Sequence, residues 1–218
     1  MYLVKTPHFI KSLFPNFIWS MPKGDRKTLY LTFDDGPIPC ITSWVLDSLS
    51  EYNAKATFFC VGENVKKNLD IYKMILANGH SVGNHTHNHL NSWGTDKSDY
   101  LLNVARCANL VESNLFRPPY GRLTPSLANH LGKNYSIIMW DILSGDFDTA
   151  LSGEACWKNV VNNAEDGSII VLHDSLKAQP RLEYVLPRIL KHYSKLGFSF
   201  CALPQAEETV HYLKPKIA

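Results

Sequence analysis

The sequence predicts an α/β fold in which about seven parallel strands close into a barrel. Strand-like apolar runs alternate with helical patterns along nearly the whole chain, which is typical of a parallel sheet covered by helices. Alternation alone fits an open doubly wound sheet equally well. Five polar residues favour the barrel, because they follow five different predicted strands and meet most easily if the strand ends form a ring. They are Asp34, His85, Arg117, Asp146 and His173.

The predicted strands are short runs rich in β-branched, aromatic and other apolar residues, bounded by turn-forming residues. In chain order they cover residues 28–33, 56–61, 81–84, 115–116, 136–140, 168–172 and 198–203. The runs 136–140 and 168–172 are almost continuously apolar. This pattern is expected of strands that are buried on both faces of a sheet.

The predicted helices lie between the strands, where apolar residues recur at three- and four-residue spacing. In chain order they cover roughly residues 41–52, 65–76, 101–111, 124–131, 154–164 and 182–196. Capping signals support the fourth helix, since Thr124 is a suitable N-cap, Pro125 occupies the first helical position and Gly132 follows the last turn.

Length and composition restrict the class of protein. The chain has 218 residues, of which 45% are apolar and 19% charged, as in one ordinary globular domain. Its net charge of +2 is too near neutral for non-specific nucleic-acid binding. No apolar run approaches the roughly 18 residues of a membrane span, and nothing indicates a protein partner. We expect residues 28–204 to form the barrel domain, 1–27 an N-terminal extension packed on it, and 205–218 a C-terminal tail.

The cysteines indicate a reducing environment. Their number is odd, they are widely scattered, and no Cys-x-x-Cys pair is present. They are Cys40, Cys60, Cys107, Cys156 and Cys201. Charged residues and prolines interrupt residues 1–21 before a signal-peptide core can form. We therefore expect a cytoplasmic protein with five free thiols, and leave an exported form open.

The strongest local signal is a histidine cluster at the end of a predicted strand. Three of the nine histidines, His85, His87 and His89, lie within five positions. His85 and His89 can face one metal ion if the segment turns helically, and imidazole is a common zinc ligand. His87 points elsewhere in that arrangement. The alternative interpretation is a polar surface loop.

Two adjacent acids are candidates for a third ligand. Asp34 and Asp35 end the first predicted strand, just before Gly36 and Pro37. Because adjacent strand residues project to opposite faces, we expect one carboxylate on the metal and the other on an attacking water. The alternative is a plain β-turn, since Asp, Gly and Pro are all turn residues.

Two further segments carry candidate groups. Two prolines stiffen the segment that begins at Arg117, so that Tyr120 supplies the first free backbone N–H. A rigid N–H beside a metal suits an oxyanion hole, and the alternative is a structural loop. His173 stands at the end of a buried strand, where it could act as a general acid or as a capping polar residue.

Together these segments resemble one family. The sequences TFDDGP at 32–37, HTHNH at 85–89, RPPYG at 117–121, WDILSGDF at 140–147 and VLHD at 171–174 resemble, in order, the five motifs of the polysaccharide deacetylases. These proteins form carbohydrate esterase family 4, the NodB homology domain. The resemblance spans about residues 29–203. It implies a deformed β/α barrel of the NodB type and metal-dependent removal of N- or O-acetyl groups from the sugars of a poly- or oligosaccharide.

The resemblance also implies a role for each matching residue. Asp34 resembles the general base and Arg117 the residue that pairs with it. The implied metal ligands are Asp35, His85 and His89, with Zn²⁺ favoured and other divalent transition metals left open. The Tyr120 N–H would form the oxyanion hole, and Asp146 would orient the catalytic His173. The residues expected to contact substrate are Tyr120, Phe147 and Leu172, the last as a wall of the acetyl pocket.

The fourth motif departs from the usual pattern. Many relatives carry an acidic residue where this chain has Leu143, and a tryptophan where it has Phe147. Asp146 is retained, so the departure concerns the pocket and the choice of substrate. Two other functions stay open at this point: hydrolysis of non-sugar C–N bonds on the same fold, and an inactive metal-bearing carbohydrate-binding module. Retention of Asp34 and His173 argues against the second.

Overall fold

The computed structural model of the protein describes residues 2–205. Its strands are β1 (Thr28–Asp34), β2 (Thr57–Cys60), β3 (Ser81–Asn84), β4 (Leu115–Phe116), β5 (Ser136–Ile137), β6 (Ile142–Leu143), β7 (Ile169–His173) and β8 (Ser199–Phe200). Its α-helices are α1 (His8–Leu13), α2 (Ile41–Ser50), α3 (Gly62–Lys67), α4 (Leu69–Ala77), α5 (Lys97–Ala108), α6 (Pro125–Leu131), α7 (Gly153–Val161) and α8 (Gln179–Lys195). A short 3₁₀ turn covers Pro119–Gly121.

The strands form one curled, all-parallel sheet in the order β5-β4-β3-β2-β1-β7-β6. β5 and β6, the two ends of this order, belong to one bent segment, residues 136–143. This segment pairs with β4 through β5 and with β7 through β6. From β1 to β7, each strand therefore lies beside or continues into the next one in the sequence, and β7 returns to β1. The sheet thus follows a deformed barrel, as the sequence predicts.

Side-chain alternation along the strands creates two apolar layers. Leu31 and Phe33 of β1, with Leu172 of β7, face outward and pack in the large core between sheet and helices. Residues of opposite parity face the barrel interior, where Phe59 and Ile169 share a second cluster. This alternation carries Asp34 inward at the C-terminal end of β1.

The N-terminal segment pairs with the barrel through its backbone. The Ile18 N–H donates to the Ile137 carbonyl at 2.9 Å, and the Met21 N–H donates to the Gly167 carbonyl at 2.8 Å. Farther upstream, the Val4 carbonyl accepts a 2.8 Å hydrogen bond from the N–H of Leu143 in β6. These contacts support our proposal that residues 1–27 pack on the barrel. The proposed C-terminal tail lies, from residue 206 onward, outside the described residues.

Three elements differ in detail from the sequence prediction. The helix predicted over 65–76 is two helices, α3 and α4, interrupted at Asn68, where the backbone is non-helical and the side chain donates to the Pro37 carbonyl at 3.0 Å. β6 was not predicted as a separate strand, because it continues the bent segment that contains β5. The predicted closing strand over 198–203 is the short β8, which pairs with the start of β1 rather than with either end of the sheet.

All five cysteines are free, which agrees with the sequence-based expectation. Three of them, Cys60, Cys107 and Cys156, are buried as small apolar side chains. Among residues 2–205, no helix combines the length and the apolar character needed to cross a membrane.

Candidate active site

A cavity of about 590 Å³ opens at the C-terminal ends of the parallel strands. This edge is where β/α proteins place their ligand sites, because loops from several strands meet there. Among the polar side chains that line it are those of Asp34, Asp35, His85, His89 and His173. Five residues from three separate sequence motifs therefore share one cavity.

Asp35, His85 and His89 form a cluster suited to a metal ion. One ligand atom from each residue lies within 4.8 Å of the other two. The Asp35 Oδ1 atom is 3.9 Å from His85 Nε2 and 3.3 Å from His89 Nε2. Two imidazoles and one carboxylate are a common ligand set for catalytic zinc.

The chemistry of His85 fits this role. Its Nδ1–H donates to the Arg117 carbonyl at 2.7 Å, which fixes the tautomer and leaves Nε2 facing the cluster. Burial, together with the neighbouring His89, lowers the pKa of His85 to about 3. A neutral imidazole is the form that binds a metal, so His85 needs no deprotonation at neutral pH.

Three residues in or beside this cluster have left-handed backbone conformations. Asp35, Thr86 and His89 have φ angles of 85°, 63° and 58°, a region that non-glycine residues rarely adopt. Asn64 donates to the Asp35 carbonyl at 2.8 Å, and the Asn84 side chain accepts the Thr86 N–H at 2.9 Å. Sequence reasoning assigned no role to these two asparagines. Asx-type turns are a local signal that could have identified Asn84, whereas nothing local marks Asn64.

Asp34 is held by a buried arginine. The Arg117 Nη1 atom donates to Asp34 Oδ1 and to the Thr32 hydroxyl, each at 2.7 Å. Arg117 is fully buried, and its guanidinium lies 4.1 Å above the ring of Phe59. A charge-assisted bond in such a buried setting fixes the Asp34 carboxylate firmly. The left-handed turn at Asp35 brings both acids into one cavity, although each keeps separate partners.

His173 is the register partner of Asp34 on the neighbouring strand β7, and it forms a second charged pair with Asp146. The Asp146 carboxylate accepts the His173 backbone N–H and the Nδ1–H, each at 2.8 Å. Burial by itself lowers the pKa of His173, but the charge and hydrogen bond of Asp146, together with Asp35 and Asp34, raise it to about 9. This shift favours the protonated imidazole, the form that can donate a proton into the cavity that His173 lines.

A buried acid, Asp174, holds the turn that follows Asp35. The Asp174 carboxylate accepts the Gly36 N–H at 3.0 Å and the Thr42 hydroxyl at 2.5 Å. A Cβ atom on Gly36 would lie 2.0 Å from Asp174 Oδ2, so this close approach requires glycine. Burial and the Asp35 charge raise the pKa of Asp174 to about 8, although its hydrogen bonds from Thr42 and Gly36 act to lower it. Asp174 ends the fifth motif, and the sequence predicts no role for it.

The expected substrate contacts are placed unevenly. Tyr120, which is 60% exposed, and Phe147 both line the cavity. The structure does not bring Leu172 into the cavity, because this residue packs in the outer core on the opposite face of β7. Val171, one residue earlier, lines the cavity beside His173. The expectation for Leu172 is corrected accordingly.

His87 lies outside the Asp35–His85–His89 cluster, and its Nδ1 atom is buried without a hydrogen-bond partner.

Comparison with known proteins identifies the family. The family model described as polysaccharide deacetylase matches residues 22–135, more than half of the chain. A peptidoglycan-N-acetylglucosamine deacetylase of Bacillus cereus is 35% identical over 196 residues, which cover 86% of this chain and 91% of the relative. The chain belongs to the polysaccharide deacetylase family.

Other members confirm the fold and the class of activity. A chitooligosaccharide deacetylase of Azorhizobium caulinodans is 32% identical over 158 residues, covering 69% of this chain and 75% of the relative. The crystal structure of a peptidoglycan N-acetylglucosamine deacetylase in complex with 4-naphthalen-1-yl-N-oxidanyl-benzamide has a TM-score of 0.81 at 29% identity, covering 91% of this chain and 95% of that chain. This polysaccharide deacetylase is thus an enzyme that removes acetyl groups from carbohydrates.

Proposed function

We propose that the cavity hydrolyses the N-acetyl groups of an oligo- or polysaccharide. The observation that carries this proposal is that one cavity contains both a candidate general base, Asp34, and a candidate general acid, His173. Asp34, held by Arg117, and His173, held by Asp146, both line the cavity that contains the Asp35–His85–His89 cluster. Amide hydrolysis needs both a base for water and an acid for the leaving amine.

Asp35, His85 and His89 would hold the divalent cation. Zn²⁺ suits this donor set, and the neutral His85 with its fixed tautomer supports that assignment. Such a cation, when bound, polarises a carbonyl oxygen and makes nearby water more acidic. The protein contributes the fixed positions of the three ligand side chains.

Asp34 accepts a proton from the water that attacks the acetyl carbonyl. The hydrogen bond from Arg117 keeps the Asp34 carboxylate oriented while the proton is transferred. The Tyr120 N–H donates to the carbonyl oxygen as negative charge develops on it, since the two preceding prolines hold this segment rigid.

His173 donates its Nε2 proton to the nitrogen of the leaving amine. Asp146 stabilises the protonated imidazole and fixes its orientation through two hydrogen bonds. A bare carbohydrate-binding module would need neither of these groups. O-acetylated sugars are a second substrate class, because the same residues can protonate an alkoxide.

The names of the relatives support amide substrates. The relatives from Bacillus cereus and Azorhizobium caulinodans are named for deacetylation of peptidoglycan N-acetylglucosamine and of chitooligosaccharides. Both names refer to N-acetylated amino sugars. We therefore place N-acetylglucosamine oligomers first among the candidate substrates of this chain.

The test is acetate release from acetylated chitooligosaccharides, peptidoglycan fragments and acetylxylan by zinc-loaded protein. Release from at least one amino-sugar substrate is expected, with Asp34→Asn at matched metal content as the inactive control. Release from acetylxylan alone would replace the amide substrate by an ester. The absence of acetate from all three substrates would contradict the proposed function.

A further inference from the structure

One wall of the cavity is apolar and lies directly beside His173. Leu143 of β6 pairs with Val171 of β7, and both side chains line the cavity. The ring of Phe147 packs edge-on against the His173 ring, with 5.2 Å between centroids. The Asp35–His85–His89 cluster lines the same cavity.

The N-terminal segment adds an aromatic residue to this wall. Tyr2 lines the cavity, and its ring centroid lies 5.1 Å from that of Phe147. It lies outside all five sequence motifs, the first of which begins at residue 32. The family motifs by themselves therefore do not account for this part of the cavity.

Several contacts fix the position of Tyr2. Its hydroxyl donates to Asp148 Oδ2 at 3.1 Å. Burial and, to a smaller extent, this hydrogen bond raise the pKa of Tyr2 to about 12, so the phenol stays a donor. A Cβ atom on Gly145 would lie 2.8 Å from the Tyr2 hydroxyl, which shows how closely Tyr2 packs on the loop after β6. Two residues later, Val4 is hydrogen-bonded to β6.

The apolar wall defines where an acyl chain must point. This step rests on the proposed function, in which the carbonyl oxygen faces the metal cluster and the Tyr120 N–H. The acetyl methyl is the apolar end of the group, and burial against Leu143, Phe147 and Val171 removes it from water. A longer acyl chain extended past Phe147 would meet the ring of Tyr2.

We propose that Tyr2 is a specificity-determining residue that limits the length of the acyl group this enzyme removes. The ring of Tyr2 closes the wall behind Phe147. Packing on Phe147 holds the ring in place, and the hydroxyl bond to Asp148 adds to this positioning. Tyr2 thereby favours acetyl over longer acyl substituents.

The experiment compares N-acetyl and N-butyryl derivatives of the same glucosamine oligomer. The quantity measured is the ratio of kcat/KM for the two substrates, in wild type, Tyr2→Ala, Tyr2→Phe and Leu3→Ala. Leu3 is the matched control, since it lies next to Tyr2 but is 53% exposed and does not line the cavity. Metal content and Tm are determined for every variant, so that a folding or loading defect is recognised.

Tyr2→Ala is expected to lower the acetyl-to-butyryl ratio by about tenfold or more, the effect of one or two methylenes in an apolar pocket. Tyr2→Phe keeps the ring and should stay within about twofold of wild type, as should Leu3→Ala. An unchanged ratio in Tyr2→Ala, or equal losses on both substrates, would overturn the inference while wild-type acetate release upheld the proposed function. Wild type that releases neither acid would instead contradict the proposed function itself.

Discussion

The polar groups of the cavity form two sets that are held in different ways. The metal side is the Asp35–His85–His89 cluster, and the acid side is His173 with Asp146. On the metal side, Asp35 and His89 adopt left-handed backbone conformations, and Asn64 supports this backbone by a hydrogen bond. On the acid side, His173 ends a regular strand and is oriented by the Asp146 carboxylate. Metal binding should therefore depend on loop geometry, whereas proton donation should depend on one charge pair.

The largest expected effect is loss of the metal. We predict that His85→Ala or His89→Ala abolishes tight binding of one zinc ion per chain and reduces deacetylation to background, because two ligands remain of three. Elemental analysis of purified protein measures the metal, with His87→Ala as the matched control from the same loop. Full zinc occupancy in either ligand variant would contradict the assignment of the cluster.

The adjacent acids provide the second comparison. Asp34→Asn should retain zinc and lose about 10²–10⁴-fold in kcat, the usual effect of removing a general base. Asp35→Asn should instead weaken zinc binding. Metal titration alongside kinetics separates the two variants, and reversed phenotypes would mean that the two acids exchange roles.

The acid side is tested by changing the leaving group. An amine must be protonated as it departs, whereas an activated phenolate leaves as the anion. His173→Ala and Asp146→Asn should therefore lower kcat/KM on an N-acetyl sugar by about 10²-fold and largely spare an aryl acetate. Equal losses on amide and ester would mean that the pair supports the site or activates water, and that another group donates the proton.

Loop geometry on the metal side should respond to a residue that touches no metal. Asn64→Ala removes the hydrogen bond to the Asp35 carbonyl, and we expect zinc affinity to fall about tenfold, as for other residues that support metal ligands. The ratio of amide to aryl-ester activity should not change once zinc is saturating. Competition with a chelator measures the affinity, and Lys66→Ala on the same helix is the control.

The sequence predicted the parts of this structure that depend on local pattern. Strand and helix periodicity located most elements, and short motifs located the residues of the Asp35–His85–His89 cluster and of the His173–Asp146 pair. Tertiary contacts account for the differences: the Asn68 side chain bonds to the Pro37 carbonyl where the predicted helix breaks, and one bent segment contains both β5 and β6. Neither contact has a signature in the neighbouring residues.

The site was predicted in the same uneven way. Five polar residues at strand ends do meet in one place, although Asp146 and Arg117 lie behind the cavity surface and act through their partners. The expectation for Leu172 could have been corrected from sequence alone, because a strand period of two puts Val171 on the same face as His173. Thr42 could not have been identified, since its contact with Asp174 joins positions that are far apart in the chain.

The smallest expected effect is on the pH dependence of kcat/KM. In wild type it distinguishes the acid side from the metal side when an amide and an aryl ester substrate are compared. The pKa of His173 is raised to about 9, so the proton-donating form predominates at neutral pH and is lost as the pH rises through that value. A cation bound at Asp35 would oppose the part of the shift that this carboxylate causes. We therefore expect kcat/KM for an N-acetyl sugar to fall with an inflection above the ordinary 6.5 of histidine and no higher than about 9. The aryl acetate, which needs no donated proton, should lack this inflection.

Asp146→Asn should move the inflection on the amide substrate to lower pH, because the largest influence that raises the pKa of His173 is removed. An identical alkaline limb on both substrates would assign it to the metal side of the cavity, and the acid role of His173 would then be wrong.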